Sequence, residues 1–464
     1  MSVLALGRAR VRLSQAPVLL IALAALVAGA MLLAPVYLIV RVLDEGSAAR
    51  DALAAESTRE AIVNTLLLAG SVTGGCAALA VPLAWLTSRT DLPFRTLWTV
   101  LLTLPLVVPS YVAAFIFISA LGPRGMLQDL LEPLGVQSLP NVYGFSGAWL
   151  SLTFFSYPYV FLPVRAAFQR LDPALEEAAK SLGKNGAALF LHVILPQLRP
   201  AIMAGGLLAS LYTLSDFGAV TILRFDSLTR VIYIHYTSAL DRSAAAALGL
   251  LLVAMALLLV TLETATRGRG RYHGSSQLRT PPPVRLGHWR WGALLFCALI
   301  VAIGVAMPVS VTLFWLVRGL LAGESVAFVR EAAFNSAYAS GLAALMAVLA
   351  ALPITVLSAR HPGLITGFLE RATYAGFALP AITVALALVF FAANYTPALY
   401  QTMALLVFAY VVRFLPQAIA GCRSSFLQIN PHTEEAARSL GHGGPTVFLR
   451  VTGPQMLPGI SAGA

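Results

Sequence analysis

The sequence has little charge and very little cysteine for its length. Of its 464 residues, 11% are Asp, Glu, Lys or Arg and 58% are hydrophobic, whereas charged residues make up about 25% of an average soluble domain. This composition excludes a string of soluble domains. The cysteines Cys76, Cys297 and Cys422 are odd in number and scattered, so they predict neither a disulfide framework nor a metal motif. We interpret them as small apolar packing residues.

The sequence also lacks the motifs of an enzyme that uses nucleotides or metals. A phosphate-binding loop requires Gly-Lys followed by Ser or Thr, and neither of the only two lysines, Lys180 and Lys184, belongs to such a motif. The histidines His192 and His235 are isolated. We therefore expect no catalytic residue, no metal site and no cofactor in this chain.

What the sequence contains instead is a series of long apolar stretches. A helix needs about 20 apolar residues to cross the hydrocarbon of a bilayer, and stretches of that kind recur along the whole chain. The first is too long for a signal peptide and lacks a small-residue cleavage site after it, so we interpret it as a membrane span. The predicted fold class is an all-α, polytopic membrane helical bundle. The predicted spans are 18–40, 61–86, 96–121, 142–164, 200–223, 243–262, 291–317, 332–357, 372–393 and 398–420.

The distribution of Lys and Arg predicts the orientation. With the N-terminus in the cytoplasm, the cytoplasmic segments contain 22 of the 31 basic residues and the external segments contain 9, as the positive-inside rule requires. The net charge of +11 is explained in this way, and we expect no nucleic-acid partner. The segment 263–290 contains six arginines and a run of prolines. We interpret it as a flexible cytoplasmic linker, with binding to anionic lipid headgroups as the less favoured alternative.

An internal repeat relates two halves of the chain. Residues 172–183 read DPALEEAAKSLG and residues 430–441 read NPHTEEAARSLG, and the alignment of these segments also matches two pairs of downstream prolines. Upstream, VPLAWLTSR ending at Arg89 recurs as LPITVLSAR ending at Arg360, at a slightly larger separation. Six predicted spans separate the two copies, an even number, so the repeat is predicted to be parallel.

The repeat predicts two halves of unequal completeness. The first half, 1–262, holds about six spans and the loop 172–196, and the linker 263–290 follows it. The second half, 291–464, holds about four spans and the loop 430–454. By comparison with the first half, its last two spans are expected to be missing. The loop 172–196 is named the first loop below, and 430–454 the second loop.

Each loop contains a short predicted helix with defined ends. Asp172 and Asn430 are good N-caps followed by proline, and a glycine ends each helix about ten residues later. Small or aliphatic residues recur at i, i+3, i+4 and i+7, a face suited to docking into a groove of another protein. The alternative is a surface helix that only stabilises the loop. The two faces consist of Leu175, Ala178, Ala179 and Leu182, and of Thr433, Ala436, Ala437 and Leu440. The pairs spaced for i,i+4 support are Glu176 with Lys180 and Glu434 with Arg438.

The two loops resemble the cytoplasmic EAA loop of binding-protein-dependent ABC permeases. The family pattern is Glu-Ala-Ala, three residues, Gly, nine residues, an aliphatic residue, one residue and then Leu-Pro. The second loop departs from it at Gly453, where Leu is usual, so we expect a looser exit from that loop. The matching residues are Glu177, Ala178, Ala179, Gly183, Val193, Leu195 and Pro196 in the first loop, and Glu435, Ala436, Ala437, Gly441, Val451 and Pro454 in the second.

The resemblance implies that each loop carries a coupling helix that sits in a cleft of a nucleotide-binding subunit. The implied partners are two copies of a cytoplasmic ABC ATPase, a periplasmic substrate-binding protein and the lipid bilayer of the bacterial inner membrane. ATP hydrolysis belongs to the ATPase in this family, so the chain itself is not expected to be an enzyme. The residues expected to couple to the ATPase are Glu176, Glu177, Ala178, Ala179, Leu182, Gly183, Glu434, Glu435, Ala436, Ala437, Leu440 and Gly441.

The fused arrangement of two halves resembles the permeases for ferric iron and for thiamine, and the stretch from Ser215 to Val220 resembles the ferric iron permeases. The resemblance implies an ATP-driven importer that moves iron(III) into the cytoplasm by alternating access. A permease for thiamine or another small solute is the alternative within the family. An ion-coupled secondary transporter is the alternative from another class. It would usually place several ionisable groups at the membrane midplane, and here only Asp216 and Arg413 come close.

Four residues are candidates for the substrate path. Asp216 is an acid in or near the membrane, which favours a functional role, and the alternative is an interfacial carboxylate bonded to the backbone or to Arg224. Tyr111, Tyr157 and Tyr159 lie in the third and fourth predicted spans. For these tyrosines, apolar packing with a satisfied hydroxyl is the alternative to lining the path.

Overall fold

Helices account for nearly all of the described chain. The structure is a computed structural model that describes residues 18–463 except 45, 124, 136–137, 172, 185, 238–241, 267–282, 326, 362, 375–378, 428, 430 and 442. Apart from one isolated β-bridge between Thr90 and Val284, the regular secondary structure of these residues is helical. This confirms the predicted all-α class. The predicted caps Asp172 and Asn430 and most of the linker lie outside the described residues.

Eight helices in the described part of the chain are long and apolar enough to cross a membrane, which confirms a polytopic protein. A shorter apolar helix, Ala381–Tyr395, stands where the span 372–393 was predicted. The eight candidate spans are Val18–Asp44, Glu56–Arg89, Ser110–Asp129, Phe190–Ser215, Ser243–Leu262, Trp289–Leu321, Ala327–Arg360 and Met403–Phe426. Three of them, Ser110–Asp129, Phe190–Ser215 and Trp289–Leu321, combine consecutive helical segments, of which the α-helices are numbered separately below.

Prolines interrupt two of the predicted spans. The span 96–121 was predicted as one helix, but a 3-10 turn, Leu104–Val107, which contains Pro105, separates two α-helices, and Pro109 precedes the second of them. The span 142–164 is likewise divided into two helices, the second of which begins at Pro158. Proline has no backbone N–H and its ring clashes with the carbonyl four residues earlier, so an α-helix does not run through it without a break or a kink.

The α-helices are numbered here in chain order. They are α1 (Val18–Asp44), α2 (Gly46–Ala54), α3 (Glu56–Arg89), α4 (Arg95–Thr103), α5 (Ser110–Leu121), α6 (Met126–Leu131), α7 (Phe145–Ser156), α8 (Pro158–Arg170), α9 (Pro173–Ser181), α10 (Gly186–Leu189), α11 (Leu195–Ser215), α12 (Gly218–Ile222), α13 (Leu228–Thr237), α14 (Arg242–Thr266), α15 (Trp289–Val301), α16 (Met307–Leu321), α17 (Ala327–Arg360), α18 (Leu364–Thr373), α19 (Ala381–Tyr395), α20 (Met403–Phe426), α21 (Pro431–Ser439), α22 (Gly444–Val447) and α23 (Gly453–Gly463).

The helices form two compact units that do not follow the order of the sequence. The large unit is Glu45–Ser325, and the small unit combines Met1–Asp44 with Val326–Ala464. Within the small unit α1 packs against α17, α18 and α19, and within the large unit α15 and α16 pack against α4 and α5. The small unit therefore contains the first span of the first sequence half, and the large unit contains the first span of the second sequence half. The division of the sequence at 263–290 rests on the repeat and stays a prediction.

The helix bounds follow the repeat found in the sequence. When Arg89 is aligned with Arg360, α3 and α17 begin and end at equivalent positions, and α9 and α21 do so when Gly183 is aligned with Gly441. α9 and α21 are each followed by a short helix and then by a π-helical turn, which is Phe190–Ile194 in the first loop and Phe448–Thr452 in the second. The two loops therefore fold alike, whereas the parallel orientation of the halves stays a prediction.

The core of the large unit fixes both ends of the first loop. α8 and α11, which precede and follow that loop, pack against α3 in a cluster of buried side chains that includes Val72, Leu83 and Val164. Gly205 of α11 permits a close approach to α8, because a Cβ at this position would lie 2.6 Å from the Cα of Val160. All three cysteines are buried and unpaired, in agreement with their interpretation as packing residues.

Candidate coupling site

The helix of the first loop ends at a left-handed glycine, as the sequence predicts. α9 is followed by Gly183, whose φ is +81°. The backbone N–H of Lys184 donates to the carbonyl of Ala179 at 3.0 Å. The N–H of Gly183 donates to the carbonyl of Lys180, also at 3.0 Å, and the two bonds together form a Schellman motif. Gly441 follows α21 in the same way, with a φ of +85°.

The residues expected to couple to the ATPase divide between two sides of α9. Glu176 and Ala179 are buried, with 8% and 7% of their surface exposed. Glu177, Ala178 and Leu182 are exposed, and Leu182 is 81% exposed. The apolar face predicted from the spacing is therefore not uniform, because Ala179 is turned toward the protein while Ala178 and Leu182 face outward.

The second loop repeats this division on α21. Glu434 and Ala437 are buried. Glu435, Ala436 and Leu440 are exposed, with 78% of the surface of Leu440 accessible. Of the residues expected to couple to the ATPase, each loop thus presents one acidic, one small and one large apolar side chain outward and holds one acidic side chain and one alanine inward.

A buried ion pair ties α9 to the end of α3. Arg89, the last residue of α3, pairs with Glu176, and the side chains are only 7% and 11% exposed. The sequence predicted Lys180 as the partner of Glu176, but the ion pairs of the described residues place Arg89 in that role. Burial accounts for the difference, since Glu176 is turned inward and Lys180 is exposed.

The equivalent pair in the second loop has additional partners. Nη2 of Arg360, the last residue of α17, lies 2.9 Å from Oε1 of Glu434. Glu434 also accepts a hydrogen bond from the hydroxyl of Thr452 at 3.0 Å. Its other oxygen lies 3.4 Å from Nη2 of Arg438, the i,i+4 partner that the sequence predicts. The guanidinium of Arg360 lies 4.9 Å from the ring centroid of Phe426, a cation–π arrangement.

The sequence did not identify either arginine as part of this site. A signal was present, because Arg89 and Arg360 each end a copy of the same repeated segment. An arginine at the cytoplasmic end of a span is, however, already explained by the positive-inside rule. Only the fold brings Arg89 next to Glu176 and Arg360 next to Glu434.

A cavity of about 640 Å³ lies between the end of α3 and α9. Its wall includes Trp85 and Arg89 of α3, Glu176 and Lys180 of α9, and Val284. The facing surfaces of the two helices are therefore held apart over part of their length. The ion pair in this wall is a direct side-chain link between them.

The end of the predicted linker is tied to the chain that follows α3. Val284 forms a β-bridge with Thr90, and its N–H donates to the carbonyl of Arg89 at 2.8 Å. The N–H of Asp91 donates to the carbonyl of Val284 at 3.1 Å. The N–H of Leu286 donates to Oδ1 of Asp91 at 2.8 Å. The segment that the sequence predicts to be flexible is thus held at this end by backbone hydrogen bonds, directly beside the first ion pair.

Asp216 directly follows α11 and is buried, with 7% of its surface exposed. Its Oδ1 accepts the backbone N–H of Ala219 at 3.0 Å, and its carbonyl accepts the hydroxyl of Thr229 at 2.6 Å. The side chain of Ser110 is a further hydrogen-bond partner of the carboxyl. These contacts agree with a carboxylate bonded to the backbone. Arg224 is not among its partners in the described structure.

The three candidate tyrosines have different surroundings. Tyr157 is fully buried, and its hydroxyl donates to the carbonyl of Leu102 at 2.7 Å. The ring of Tyr159 lies 5.5 Å from that of Tyr212, whereas Tyr111 is 56% exposed. Within the described residues, no group of three or more His, Cys, Asp or Glu side chains is placed to hold a metal ion.

Paired loops on a polytopic helical fold, each with a short and partly exposed helix, agree with the resemblance to the permeases of ABC importers. The family described as "Binding-protein-dependent transport system inner membrane component" matches residues 77–267 and 343–464. The chain belongs to this family and is a multi-pass permease of the inner membrane. Family membership excludes the ion-coupled secondary transporter that the sequence left as an alternative.

Two relatives align with this chain over most of its length. This chain is 32% identical to the Fe(3+)-transport system permease protein FbpB 2 of Haemophilus influenzae over 409 residues. The alignment covers 87% of this chain and 77% of that protein. The chain is 28% identical over 399 residues to the probable ABC transporter permease protein y4fN of Sinorhizobium fredii, with coverages of 79% and 69%. Among solved structures, a chain of a bacterial alginate ABC transporter aligns with a TM-score of 0.39 at 19% identity, covering 48% of this chain and 82% of that one.

Proposed function

We propose that this chain is the permease subunit of an importer that moves ferric iron from a periplasmic binding protein into the cytoplasm. The observation that carries the proposal is the 32% identity to the Fe(3+) permease of Haemophilus influenzae, which extends over 87% of the chain. Identity over so much of the chain involves most of its spans as well as the loops. It therefore supports a shared substrate class more strongly than a match to one segment does.

In this proposal each coupling helix docks on one ATPase subunit, so that two ATPase copies serve one permease. The exposed Leu182 and Leu440 are the apolar contacts, and fully burying a leucine stabilises a complex by about 1.5–3 kcal/mol. Glu177 and Glu435 lie exposed beside them and supply a charged contact. ATP is hydrolysed on the partner, and the chain itself performs no chemical step. Both loops, and with them the N-terminus, lie on the cytoplasmic side.

The iron ion needs a polar path, because a bare tripositive ion cannot cross an apolar surface. We place this path in a water- or oxygen-lined cavity that opens alternately to the two sides of the membrane. Of the candidate residues, Tyr111 is the best suited to line it, since its side chain is exposed. Tyr157 is the least suited, because its hydroxyl already donates to a carbonyl.

Uptake of ⁵⁵Fe by a strain that lacks its own ferric iron importer tests the proposal. The chain is expressed with its ATPase and its binding protein, and the control carries an ATPase variant that cannot hydrolyse ATP. We expect iron uptake and growth under iron limitation to be restored only with the active ATPase. If added thiamine restores growth, or if thiamine is taken up and iron is not, the iron assignment is wrong and the thiamine alternative replaces it.

A further inference from the structure

We propose that the ion pairs Arg89–Glu176 and Arg360–Glu434 are mechanical joints through which the coupling helices move the membrane spans. The first glutamate of each Glu-Glu-Ala-Ala motif is then a positioning residue that holds its helix to its own chain. The second, Glu177 or Glu435, is left to face the partner. The proposal relies on the docking of the ATPase proposed above, but it does not depend on the identity of the substrate.

The burial of the two glutamates separates their roles. Consecutive residues of an α-helix point about 100° apart, since one turn takes 3.6 residues. Glu176 is accordingly 8% exposed while Glu177 is exposed, and the same holds for Glu434, at 6%, and Glu435. A docked ATPase can reach the outward glutamates, whereas the inward ones are already enclosed by their own chain.

The position of each arginine at the end of a long helix lets the ion pair pass a displacement of the glutamate to that helix. α3 and α17 are both 34 residues long, and each contains one proline, Pro82 or Pro353, seven residues before its end; each helix is roughly 50 Å long at 1.5 Å per residue. Arg89 and Arg360 are the last residues of these helices. A displacement of Glu176 is passed directly to the end of α3, because a buried charge cannot leave its partner without being stranded unpaired. The cavity beside this pair limits other contacts between α3 and α9.

The two joints differ in how many groups hold the glutamate. In the described contacts Glu434 has three partners, Arg360, Arg438 and Thr452, whereas Glu176 has one, Arg89. When the two loops are aligned, the position equivalent to Thr452 is Ile194, which has no hydroxyl to donate. The first joint should therefore be the more sensitive of the two to loss of its arginine.

Transport measured per ATP hydrolysed distinguishes a joint from a packing contact. The full chain is reconstituted in proteoliposomes with its ATPase and binding protein, as wild type, Arg89→Met and Arg360→Met. We expect the ATPase to co-purify with all three. Iron uptake per ATP should fall about tenfold in Arg89→Met and about threefold in Arg360→Met. Arg59→Met is the matched control, because it makes the same substitution at an exposed arginine near the other end of α3, away from the pair, and it should behave like wild type.

The exchanged variant, Arg89→Glu with Glu176→Arg, addresses the objection that the single variants are merely misfolded. It keeps opposite charges in the same place, so we expect it to recover at least half of the wild-type uptake per ATP. Failure of the exchanged variant to recover, while it still inserts and binds the ATPase, would contradict a joint made by charge pairing.

A distance measurement tests the joint without iron. Spin labels are attached at Glu60→Cys, near the far end of α3, and at Lys184→Cys, just beyond α9; both sites are exposed, and the native cysteines are buried and protected from labelling. In the wild-type complex we expect one narrow distance that is the same without nucleotide and after trapping with ATP and vanadate. In Arg89→Met the distribution should at least double in width. A wild-type distance that changes on trapping, or an Arg89→Met distribution as narrow as wild type, would overturn the proposal. If wild type takes up no iron, the substrate assignment fails, and this measurement still decides the joint.

Discussion

Replacing Gly183 by valine tests whether the coupling helix of the first loop must end in a left-handed residue. Gly183 has a φ of +81°, and a Cβ built there would meet no atom within 4 Å. The penalty is therefore conformational and not a clash with neighbours. For an L-residue in the left-handed region it is roughly 1–2 kcal/mol, and a β-branched side chain lies at the unfavourable end of that range.

A penalty of that size shifts the equilibrium between this helix end and other conformations by a factor of about 5–30. Leu182, the exposed apolar contact of the proposed docking face, directly precedes the glycine and moves with it. We therefore expect Gly183→Val to insert normally but to reduce ATP hydrolysis stimulated by the loaded binding protein about fivefold or more.

Gly183→Asn is the matched control, because asparagine enters the left-handed region with little cost. It should retain most of the stimulated activity, and Gly441→Val should repeat the valine result in the second loop. The assay is phosphate release by the reconstituted complex with and without loaded binding protein. If the valine and asparagine variants both match wild type, the helix end does not matter for coupling.

Two further predictions concern the large unit. Gly205→Val should lower the unfolding temperature of the purified protein by several degrees, because its Cβ would lie 2.6 Å from the Cα of Val160. Gly70→Ala should leave the unfolding temperature unchanged, because a Cβ at this position meets nothing within 4 Å. Equal unfolding temperatures for the two variants would show that α8 and α11 can separate at no cost. Asp216→Asn keeps the oxygen that accepts the N–H of Ala219, so it should preserve both stability and iron uptake, whereas Asp216→Ala should cost about 1–3 kcal/mol of stability. Loss of uptake in a stable Asn variant would assign the Asp216 charge to the substrate path instead.

The general architecture followed from the sequence because each signal depends on a few neighbouring residues. Long apolar stretches predict spans, and a glycine after a helical period predicts the left-handed end found at Gly183 and Gly441. The breaks at Pro105, Pro109 and Pro158 were within reach of the same reasoning. They were missed because hydropathy alone does not register a proline.

The packing partners did not follow, because they depend on contacts between distant residues. Nothing in the sequence of α1 indicates that it belongs to the unit formed by α17, α18 and α19. The spacing of Glu176 and Lys180 made them plausible partners on one helix. The fold instead places Glu176 against Arg89, 87 residues away, and a buried charge pairs with the group that is buried beside it.

The second loop tests how a departure from the family pattern is accommodated. Gly453 stands where leucine is usual, and the sequence therefore predicted a looser exit. In the structure Thr452, the residue before it, is only 2% exposed and donates to the buried carboxylate of Glu434. A Cβ at position 453 would lie 3.1 Å from the carbonyl oxygen of Phe448, one turn earlier in the π-helical segment.

Whether the exit of the second loop is loose or fixed depends on two free energies, the cost of a glycine in a helix and the contribution of the hydrogen bond from Thr452. Glycine inside a helix costs about 0.5–1 kcal/mol relative to alanine. A hydrogen bond to a charged group contributes about 1.5–3 kcal/mol. The bond from Thr452 to Glu434 therefore outweighs the flexibility of Gly453, and it ties the exit of the loop to the same carboxylate that Arg360 holds. The first loop has Ile194 in place of Thr452, and Ile194 belongs to the buried core cluster of the large unit, so apolar packing takes the place of that hydrogen bond.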